Sequence, residues 1–194
     1  MIVGLSGYAR SGKDTAAQAL IEQGFRRDAF ADRLRSFLYE LDPIVDFDHY
    51  DVEGKSYTND LRLRELVDQV GWERAKNESD EVRYLLMRCG TEAGRKVLGK
   101  SVWVNALFQG VKLGDNIVIT DCRFENEADG IRARGGIVVR VERPGVGPKL
   151  DSTGKAHVSE VALDHYGFDY VIENDGDIAQ LQEDVRCIVH YLCK

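Results

Sequence analysis

The sequence predicts an α/β fold in which a mostly parallel sheet of about five strands has helices on both faces. Short apolar runs alternate with stretches in which apolar residues recur at helical spacing, as in consecutive βαβ units. A glycine-rich loop also lies between the first apolar run and the first helical stretch, where a buried strand would turn into a helix. At 194 residues the chain is long enough to bury one core and carry an inserted lobe.

Five apolar runs are predicted to form the strands of this sheet. They lie at residues 2–5, 25–30, 116–121, 137–141 and 170–172. Helical periodicity predicts the helices at residues 13–23, 34–41, 63–70, 82–89, 102–111, 125–134 and 178–189. Gly24 closes the first helix and Pro43 limits the second, because glycine suits the left-handed end of a helix and proline interrupts its hydrogen bonds.

Two segments fit neither pattern. Residues 42–59 are acidic and aromatic, and we interpret them as an irregular loop within an inserted lobe. Residues 143–155 (RPGVGPKLDSTGK) contain two of the three prolines and three glycines, which predicts a mobile loop or lid. The chain has no internal repeat, so we expect a single domain over residues 1–194.

The charge balance argues against a broad nucleic-acid-binding surface, because 26 Lys and Arg stand against 33 Asp and Glu, for a net charge of −7. The four cysteines, at positions 89, 122, 187 and 193, form no C-x-x-C pair, which predicts free thiols in a reducing compartment. No apolar run approaches the ~20 residues of a membrane span, and Met1 leads into the first strand without a signal peptide. We therefore expect a cytoplasmic protein with no membrane partner.

The glycine-rich loop at residues 7–15 reads GYARSGKDT and nearly matches the phosphate-binding motif G-x-x-x-x-G-K-[ST]. Gly7 and Gly12 let the backbone curl so that successive N–H groups converge on a phosphate, and the following helix adds the positive end of its dipole. Lys13 would then reach the β- and γ-phosphates as a point charge. Because a strand precedes this loop and a helix follows it, we predict a nucleotide-phosphate site.

Asp14 departs from the motif, which places a magnesium-binding hydroxyl directly after the lysine. Three interpretations stay open from the residues alone. Asp14 binds Mg²⁺ directly or through water, it is a first-turn acid favoured by the helix dipole, or the site is degenerate. Thr15 still offers a hydroxyl to the α-phosphate.

A second carboxylate, Asp121, ends the apolar run at residues 116–121, as the acid of a Walker B strand does. Ligands of open parallel sheets bind outside the carboxyl ends of the strands, so we expect Asp121 near Lys13 and a metal ion. Arg123 would project over the transferring phosphate and neutralise developing charge. The alternative for Arg123 is a surface arginine at the start of a helix.

These residues resemble the phage-type deoxynucleoside monophosphate kinases, a family of P-loop kinases. The loop SGYARSGKDT, with Asp-Thr after the lysine, is similar to theirs. Further similar segments follow in order along the chain: VRYLL at 82–86, GTE at 90–92, VWV at 102–104, DCR at 121–123, EA at 127–128, RPG at 143–145, HVSE at 157–160 and NDG at 174–176. The resemblance covers most of the chain except residues 42–77.

The resemblance implies a P-loop kinase fold with a helical acceptor-binding lobe near residues 32–100 and a lid at residues 143–165. It implies transfer of the γ-phosphoryl group of ATP to a deoxynucleoside 5′-monophosphate, with Mg²⁺ as the metal, in the host cytoplasm if a phage encodes the chain. It also makes Asp14 part of a working metal site together with Asp121, instead of a sign of degeneracy.

The same resemblance implies the roles of the site residues. The donor ATP would contact Gly7, Arg10, Ser11, Gly12, Lys13, Asp14 and Thr15, with Asn174, Asp175 and Gly176 against its adenine. The acceptor would contact Arg35, Arg83, Thr91 and Glu92, and catalysis would use Lys13, Arg123, Arg143 and Asp121. By themselves, residues 174–176 form an ordinary turn sequence.

Two other classes of function stay open. The first is another small-molecule P-loop kinase, similar to dephospho-coenzyme A kinase or phosphomevalonate kinase, and the second is a nucleotide-binding switch or ATPase. The sequence does not indicate which base is accepted, whether the sugar is ribose or deoxyribose, or whether the protein forms a homodimer.

Overall fold

The computed structural model describes residues 1–52, 55–150 and 154–192. Its strands, in chain order, are β1 (Ile2–Ser6), β2 (Arg26–Asp28), β3 (Ile44–Val52), β4 (Lys55–Arg62), β5 (Ile117–Ile119), β6 (Ile137–Glu142) and β7 (Tyr170–Glu173). The α-helices are α1 (Lys13–Ile21), α2 (Phe30–Leu41), α3 (Leu63–Glu78), α4 (Asp80–Met87), α5 (Val102–Phe108), α6 (Glu125–Arg132), α7 (Val158–Val161) and α8 (Ile178–Leu192). The chain divides into two compact units, one of Met1–Phe30 with Val104–Lys194 and one of Ala31–Trp103.

The first unit contains a five-stranded parallel sheet in the order β2-β5-β1-β6-β7. The predicted α/β architecture with a five-stranded parallel sheet is therefore confirmed. Val3 in the central strand pairs with Val118 of β5 on one side and Ile137 of β6 on the other. All five residues of β1 are buried, as expected for a strand covered on both faces.

Helices cover the two faces of this sheet. Apolar side chains of α1 and α8, such as Leu20 and Val185, share one buried cluster with Val3 and other residues of the central strands. On the opposite face Gly4 of β1 lies directly under α6, because a Cβ atom at this glycine would collide with Ile131. The sheet therefore forms the middle of three layers, which is the arrangement expected when strands and helices alternate.

The second unit contains a long antiparallel hairpin, so the prediction of an irregular loop at residues 42–59 is wrong. Strand β3 pairs with β4 from Ile44↔Arg62 to Val52↔Lys55. The run VDFDHYDV combines aromatic and β-branched residues, which favour strands, with three acids, which concealed this strand tendency. The hairpin is followed by α3, whose backbone breaks at Gly71 (φ 78°), and by α4.

The predicted helix at residues 82–89 also ends differently. It closes as α4 at Met87 and continues as a π-helix, Arg88–Leu98, which carries Thr91 and Glu92. Hydrogen bonds shifted to i→i+5 leave no signature in apolar periodicity, so the sequence pattern did not reveal this segment.

The predicted lid has little regular structure in the part that is described. Val146 N–H donates to Arg143 O in a turn, and Leu150 and Ala156 form an isolated bridge before the short helix α7. Residues 151–153 of the lid, and Cys193 among the cysteines, lie outside the described residues. The other three cysteines are free thiols. Within the described ranges, every helix is too short or too polar to cross a bilayer.

Candidate active site

Several of the predicted site residues lie at the carboxyl edge of the parallel sheet in the first unit. The glycine-rich loop leaves β1, Asp121 stands two residues beyond β5, and Arg143 and Asn174 each directly follow a strand. Because all five strands are parallel, these strand ends share one edge, which is where ligands of open α/β sheets bind. Strands β1 and β5 pair directly, so the loop and Asp121 follow neighbouring strands.

The two glycines of the loop are needed for steric reasons. Gly7 has a φ of 139°, and a Cβ atom there would overlap the carbonyl oxygen of Val141 on β6. Gly12 has a φ of 109° and directly precedes α1, and a Cβ atom there would lie 2.5 Å from Asn174 Nδ2. Residues other than glycine rarely adopt such φ values, so the backbone path of the loop depends on both glycines.

Lys13 folds back over the loop. Its Nζ donates to the carbonyl oxygens of Gly7 at 2.7 Å and Tyr8 at 2.6 Å. Burial lowers the pKa of Lys13, the nearby Arg123 lowers it further, and the carboxylates of Asp14 and Glu160 act in the opposite direction. The loop therefore holds a partly dehydrated cation beside a second cation, which is an environment suited to a multiply charged anion.

Asn174 braces the loop from the end of β7, which is separated from β1 by β6. Its Nδ2 donates to Ser11 O at 2.8 Å, although the two residues are 163 positions apart. The resemblance implied an adenine contact for this residue, and the contact with the loop was missed because nothing in the local turn sequence signals a partner so distant in the chain. Ser11 itself is buried, with 1% exposed surface.

Arg123 is anchored in two ways. Its Nη1 lies 2.9 Å from Glu160 Oε1, and its backbone N–H donates to Glu127 Oε2 at 2.8 Å. The buried carboxylate of Glu127 also accepts from the N–H of Phe124 at 3.1 Å, so it satisfies two donors at the start of α6. Glu127 therefore fixes the backbone from which Arg123 extends, and Glu160 ties the guanidinium to α7.

Two acids stand at neighbouring strand ends. Asp121 Oδ1 accepts from the N–H of Phe30 at 2.8 Å. Asp28 ends β2, is 3% exposed, and accepts from the N–H of Ala29 at 2.9 Å and from Arg26 Nη1 at 2.9 Å. The sequence did not single out Asp28, because the predicted strand at residues 25–30 placed it inside the strand, whereas β2 ends at Asp28.

The other predicted donor-site residues occupy more open positions. Arg10 is exposed and has a left-handed φ of 69°, and Asp14 is exposed in the first turn of α1. Thr15 is half-buried, whereas Arg143, Asp175 and Gly176 are exposed. The loop, Asp121, Arg123, Arg143 and residues 174–176 all belong to the first unit.

The four predicted acceptor residues lie in the second unit, where they have different partners. Arg35 Nη2 is 2.6 Å from Glu73 Oε1, and its guanidinium lies 5.9 Å from the ring centre of Trp72. Arg35 and Trp72 line a cavity of about 300 Å³. Arg83 pairs with Asp80 at 3.0 Å, while the π-helix exposes Thr91 and also Glu92, which lies 3.9 Å from Arg88.

Residues 43–185 match the sequence model of the deoxynucleotide monophosphate kinase family, which is well over half of the chain. The chain belongs to this family. It is therefore a kinase, with nucleotides as substrates and ATP as the phosphoryl donor. The resemblance inferred from the loop and from the ordered segments is confirmed.

The names of individual relatives agree with the assignment to the deoxynucleotide monophosphate kinase family. The chain is 29% identical over 192 residues to an Acanthamoeba polyphaga mimivirus protein provisionally named a deoxynucleotide monophosphate kinase, covering 95% of this chain and 94% of that protein. It is 28% identical over 144 residues to the deoxynucleotide monophosphate kinase of Enterobacteria phage T4, covering 71% of this chain. The match spans 56% of the phage T4 protein, which is therefore considerably longer.

A solved dephospho-CoA kinase from Campylobacter jejuni overlaps 98% of this chain and 96% of its own, with a TM-score of 0.44 and 13% identity. A structural similarity this low gives no information about the acceptor substrate of this protein.

Proposed function

We propose that this kinase transfers the γ-phosphoryl group of ATP to a deoxynucleoside 5′-monophosphate, which yields the diphosphate and ADP. The observation that carries the proposal is the position of Lys13 Nζ, held over the phosphate loop by the carbonyls of Gly7 and Tyr8 at the carboxyl edge of the sheet. A cation and converging N–H groups at such an edge bind a nucleotide polyphosphate.

Phosphoryl transfer requires little covalent chemistry from the protein, so positioning and charge neutralisation supply most of the catalysis. The loop residues 7–15, including Arg10, Ser11 and Thr15, would hold the donor phosphates. Lys13, Arg123 and Arg143 would neutralise charge on the transferred group, and a general base is unnecessary because the acceptor phosphate attacks as its dianion. Residues 143–165 would close over the site and exclude water.

A magnesium ion fits the oxygen donors at this site. Asp14 on the first turn of α1 and Asp121 beyond β5 are carboxylates, and Thr15 adds a hydroxyl. Among the described residues no three His, Cys, Asp or Glu side chains cluster closely enough to hold a metal by themselves. Such a partial set suits Mg²⁺, which usually binds one or two carboxylates together with substrate phosphates. When bound, the ion would neutralise phosphate charge.

We expect Asp14→Asn to raise the Mg²⁺ concentration required for half-maximal activity by about tenfold, because a neutral amide is a weaker ligand for a hard cation than a carboxylate. Asp121→Asn should act in the same direction. Titration of activity with Mg²⁺ at fixed total ATP measures both effects. Glu81→Gln is the matched control, because Glu81 is an exposed first-turn acid of α4 with the same relation to a helix dipole. An unchanged magnesium requirement in Asp14→Asn would exclude Asp14 as a ligand.

The acceptor nucleotide is proposed to bind the second unit. Arg35 and Arg83 would orient its phosphate, and Thr91 and Glu92 would contact its nucleoside. Arg35 lines a cavity with Trp72, and its pairing with Glu73 leaves the face of the guanidinium over the indole ring. Residues 174–176, with Asn174 braced on the loop, are proposed to lie against the adenine of ATP.

Incubation with ATP, Mg²⁺ and each deoxynucleoside monophosphate in turn should release ADP only when an accepted nucleotide is present. Ribonucleoside monophosphates, dephospho-coenzyme A and phosphomevalonate serve as competing acceptors in parallel reactions. ADP release that needs no acceptor would indicate an ATPase or switch, and release with only the last two acceptors would contradict the proposed substrate class.

The setting of the reaction is part of the proposal. We place the enzyme in the cytoplasm, which is the host cytoplasm if a phage encodes the chain. It would act on free nucleotides and not on nucleic-acid polymers, in line with the net charge of −7. A homodimer is compatible with this function and is not required by it.

A further inference from the structure

A buried arginine lies directly beneath the start of the phosphate loop. Arg140 on β6 is only 6% exposed. Its guanidinium lies 5.0 Å from the ring centre of Tyr8 on one side and 5.3 Å from that of Phe168 on another. Its Nε donates to Glu142 Oε1 at 2.7 Å. A buried cation held by a carboxylate and two aromatic rings is a rigid surface for whatever packs against it.

Tyr8 is fastened to this surface by its hydroxyl as well as by its ring. The Tyr8 hydroxyl donates to Asp164 Oδ1 at 2.7 Å, and the same oxygen lies 3.3 Å from Arg140 Nη2. Burial raises the pKa of Tyr8, and the bond to Asp164 raises it further, so the hydroxyl keeps its proton. We call Tyr8, Arg140 and Asp164 the Tyr8 clamp.

The backbone of Tyr8 carries the contacts that shape the loop. Its carbonyl oxygen accepts from Lys13 Nζ at 2.6 Å and from the N–H of Ser11 at 3.2 Å. The side chain held by the clamp and the carbonyl that holds Lys13 therefore belong to one residue. A displacement of the Tyr8 backbone would therefore move this carbonyl away from both of its donors.

We infer that the Tyr8 clamp is a positioning device that fixes the first turn of the phosphate loop and Lys13 for binding of the donor nucleotide. The inference rests on the proposed function in taking ATP as that donor. The Tyr8 clamp also links two parts of the site, because Asp164 lies four residues beyond Glu160, which pairs with Arg123. Asp164 therefore holds the phosphate loop through Tyr8, and Glu160 holds Arg123.

Tyr8→Phe removes the hydroxyl and keeps the ring over Arg140. We expect it to weaken ATP binding and raise the KM for ATP by about tenfold, as the loss of one charge-assisted hydrogen bond predicts. The KM for the acceptor should change by less than about twofold, because the Tyr8 clamp acts on the donor site and the predicted acceptor residues belong to the second unit. Tyr8→Leu, which also removes the ring, should weaken ATP binding more than Tyr8→Phe does.

The matched control is Tyr166→Phe. Tyr166 donates to Asp129 Oδ1 at 3.0 Å, and Arg132 lies 4.8 Å from its ring centre, so the same three residue types meet away from the loop. Loss of this hydroxyl should leave the KM for ATP unchanged. An equal rise in both variants, or a folded Tyr8→Phe enzyme that binds ATP as the wild type does, would overturn the inference.

A double-mutant cycle tests whether Asp164 acts through Tyr8. If it does, Tyr8→Phe/Asp164→Ala should bind ATP no more weakly than Asp164→Ala alone, whereas additive losses would contradict the clamp. Tyr8→Phe decides the matter alone if Asp164→Ala fails to fold. Calorimetric titration with ATP keeps this test separate from the proposed function, because a wild type that binds ATP but phosphorylates no deoxynucleotide would contradict only the latter.

Discussion

Replacing Lys13 with alanine should lower the turnover number about 100- to 1,000-fold, the range found when one preorganised donor to a developing charge is removed. The ammonium group of Lys13 donates hydrogen bonds to two carbonyl oxygens of the loop, and it lies close enough to Arg123 for the two positive charges to repel each other. Transfer of the γ-phosphoryl group spreads negative charge over its equatorial oxygens and the leaving oxygen, so a fixed cation there stabilises the transition state.

The same substitution should change the free energy of unfolding by less than about 1 kcal/mol, because opposing effects nearly cancel. The alanine variant loses two hydrogen bonds from Nζ to backbone carbonyls. It also loses the Lys13 ammonium group. Burial and Arg123 lower the pKa of this group, which means that the folded environment disfavours its charged form. A catalytic loss without a comparable loss of stability separates a functional lysine from a structural one.

Lys112→Ala is the control for this experiment, since Lys112 is an exposed lysine of the same unit. Initial rates at saturating ATP and acceptor give the turnover number, and urea unfolding gives the stability of each variant. Near-normal turnover in Lys13→Ala, or a similar loss in Lys112→Ala, would contradict the assignment of the phosphate loop.

The parallel sheet and its functional edge could be predicted from the sequence because both depend on local patterns. Buried strands such as Ile117–Ile119 are continuous apolar runs, and helices such as α8 are marked by periodicity. Once the strands are parallel, their carboxyl ends must share an edge, so Asp121 and the glycine loop follow. Asp28 did not follow in the same way, because the predicted strand extended to residue 30, two residues beyond the end of β2.

The second unit was harder to predict because its local patterns mislead. The hairpin β3–β4 carries acids along a strand, and this acidic composition suggested a loop although its aromatic and β-branched residues favour strands. The π-helix after Met87 has no periodic signature of its own. In both segments the tertiary contacts determine the backbone conformation, and residue propensity alone does not.

Long-range side-chain contacts were beyond prediction for a different reason. Tyr8 meets Asp164 across 156 positions, and Asn174 meets Ser11 across 163. Nothing in the local sequence of either partner specifies the other, because such pairs arise only when the strand order places β6 beside β1 and β7 beside β6. The contacts that shape the phosphate loop were therefore absent from the sequence-based picture of the site, although the loop itself was found.

Replacing Gly7 with alanine should weaken ATP binding by about 100-fold or more, because the loop must leave its path to accept the methyl group. The added Cβ atom would overlap Val141 O and lie 2.7 Å from Ser11 Oγ, at a φ of 139°. Val141 is the next residue of β6 after the pair Ser6↔Arg140, so its carbonyl is fixed by the central sheet and cannot give way. The loop must then move, which displaces the Gly7 and Tyr8 carbonyls and with them Lys13.

Gly24→Ala separates this collision from backbone strain. Gly24 also has a positive φ of 89°, but no atom lies within 4 Å of a Cβ atom there. Its replacement should cost about 1 kcal/mol of stability through strain alone and leave ATP affinity unchanged. Calorimetric titration with ATP and urea unfolding of both variants make the comparison. If Gly7→Ala binds ATP as well as Gly24→Ala does, ATP binding does not depend on the path of the loop beside β6. Lys13 and Tyr8 could then shift without a loss of ATP affinity.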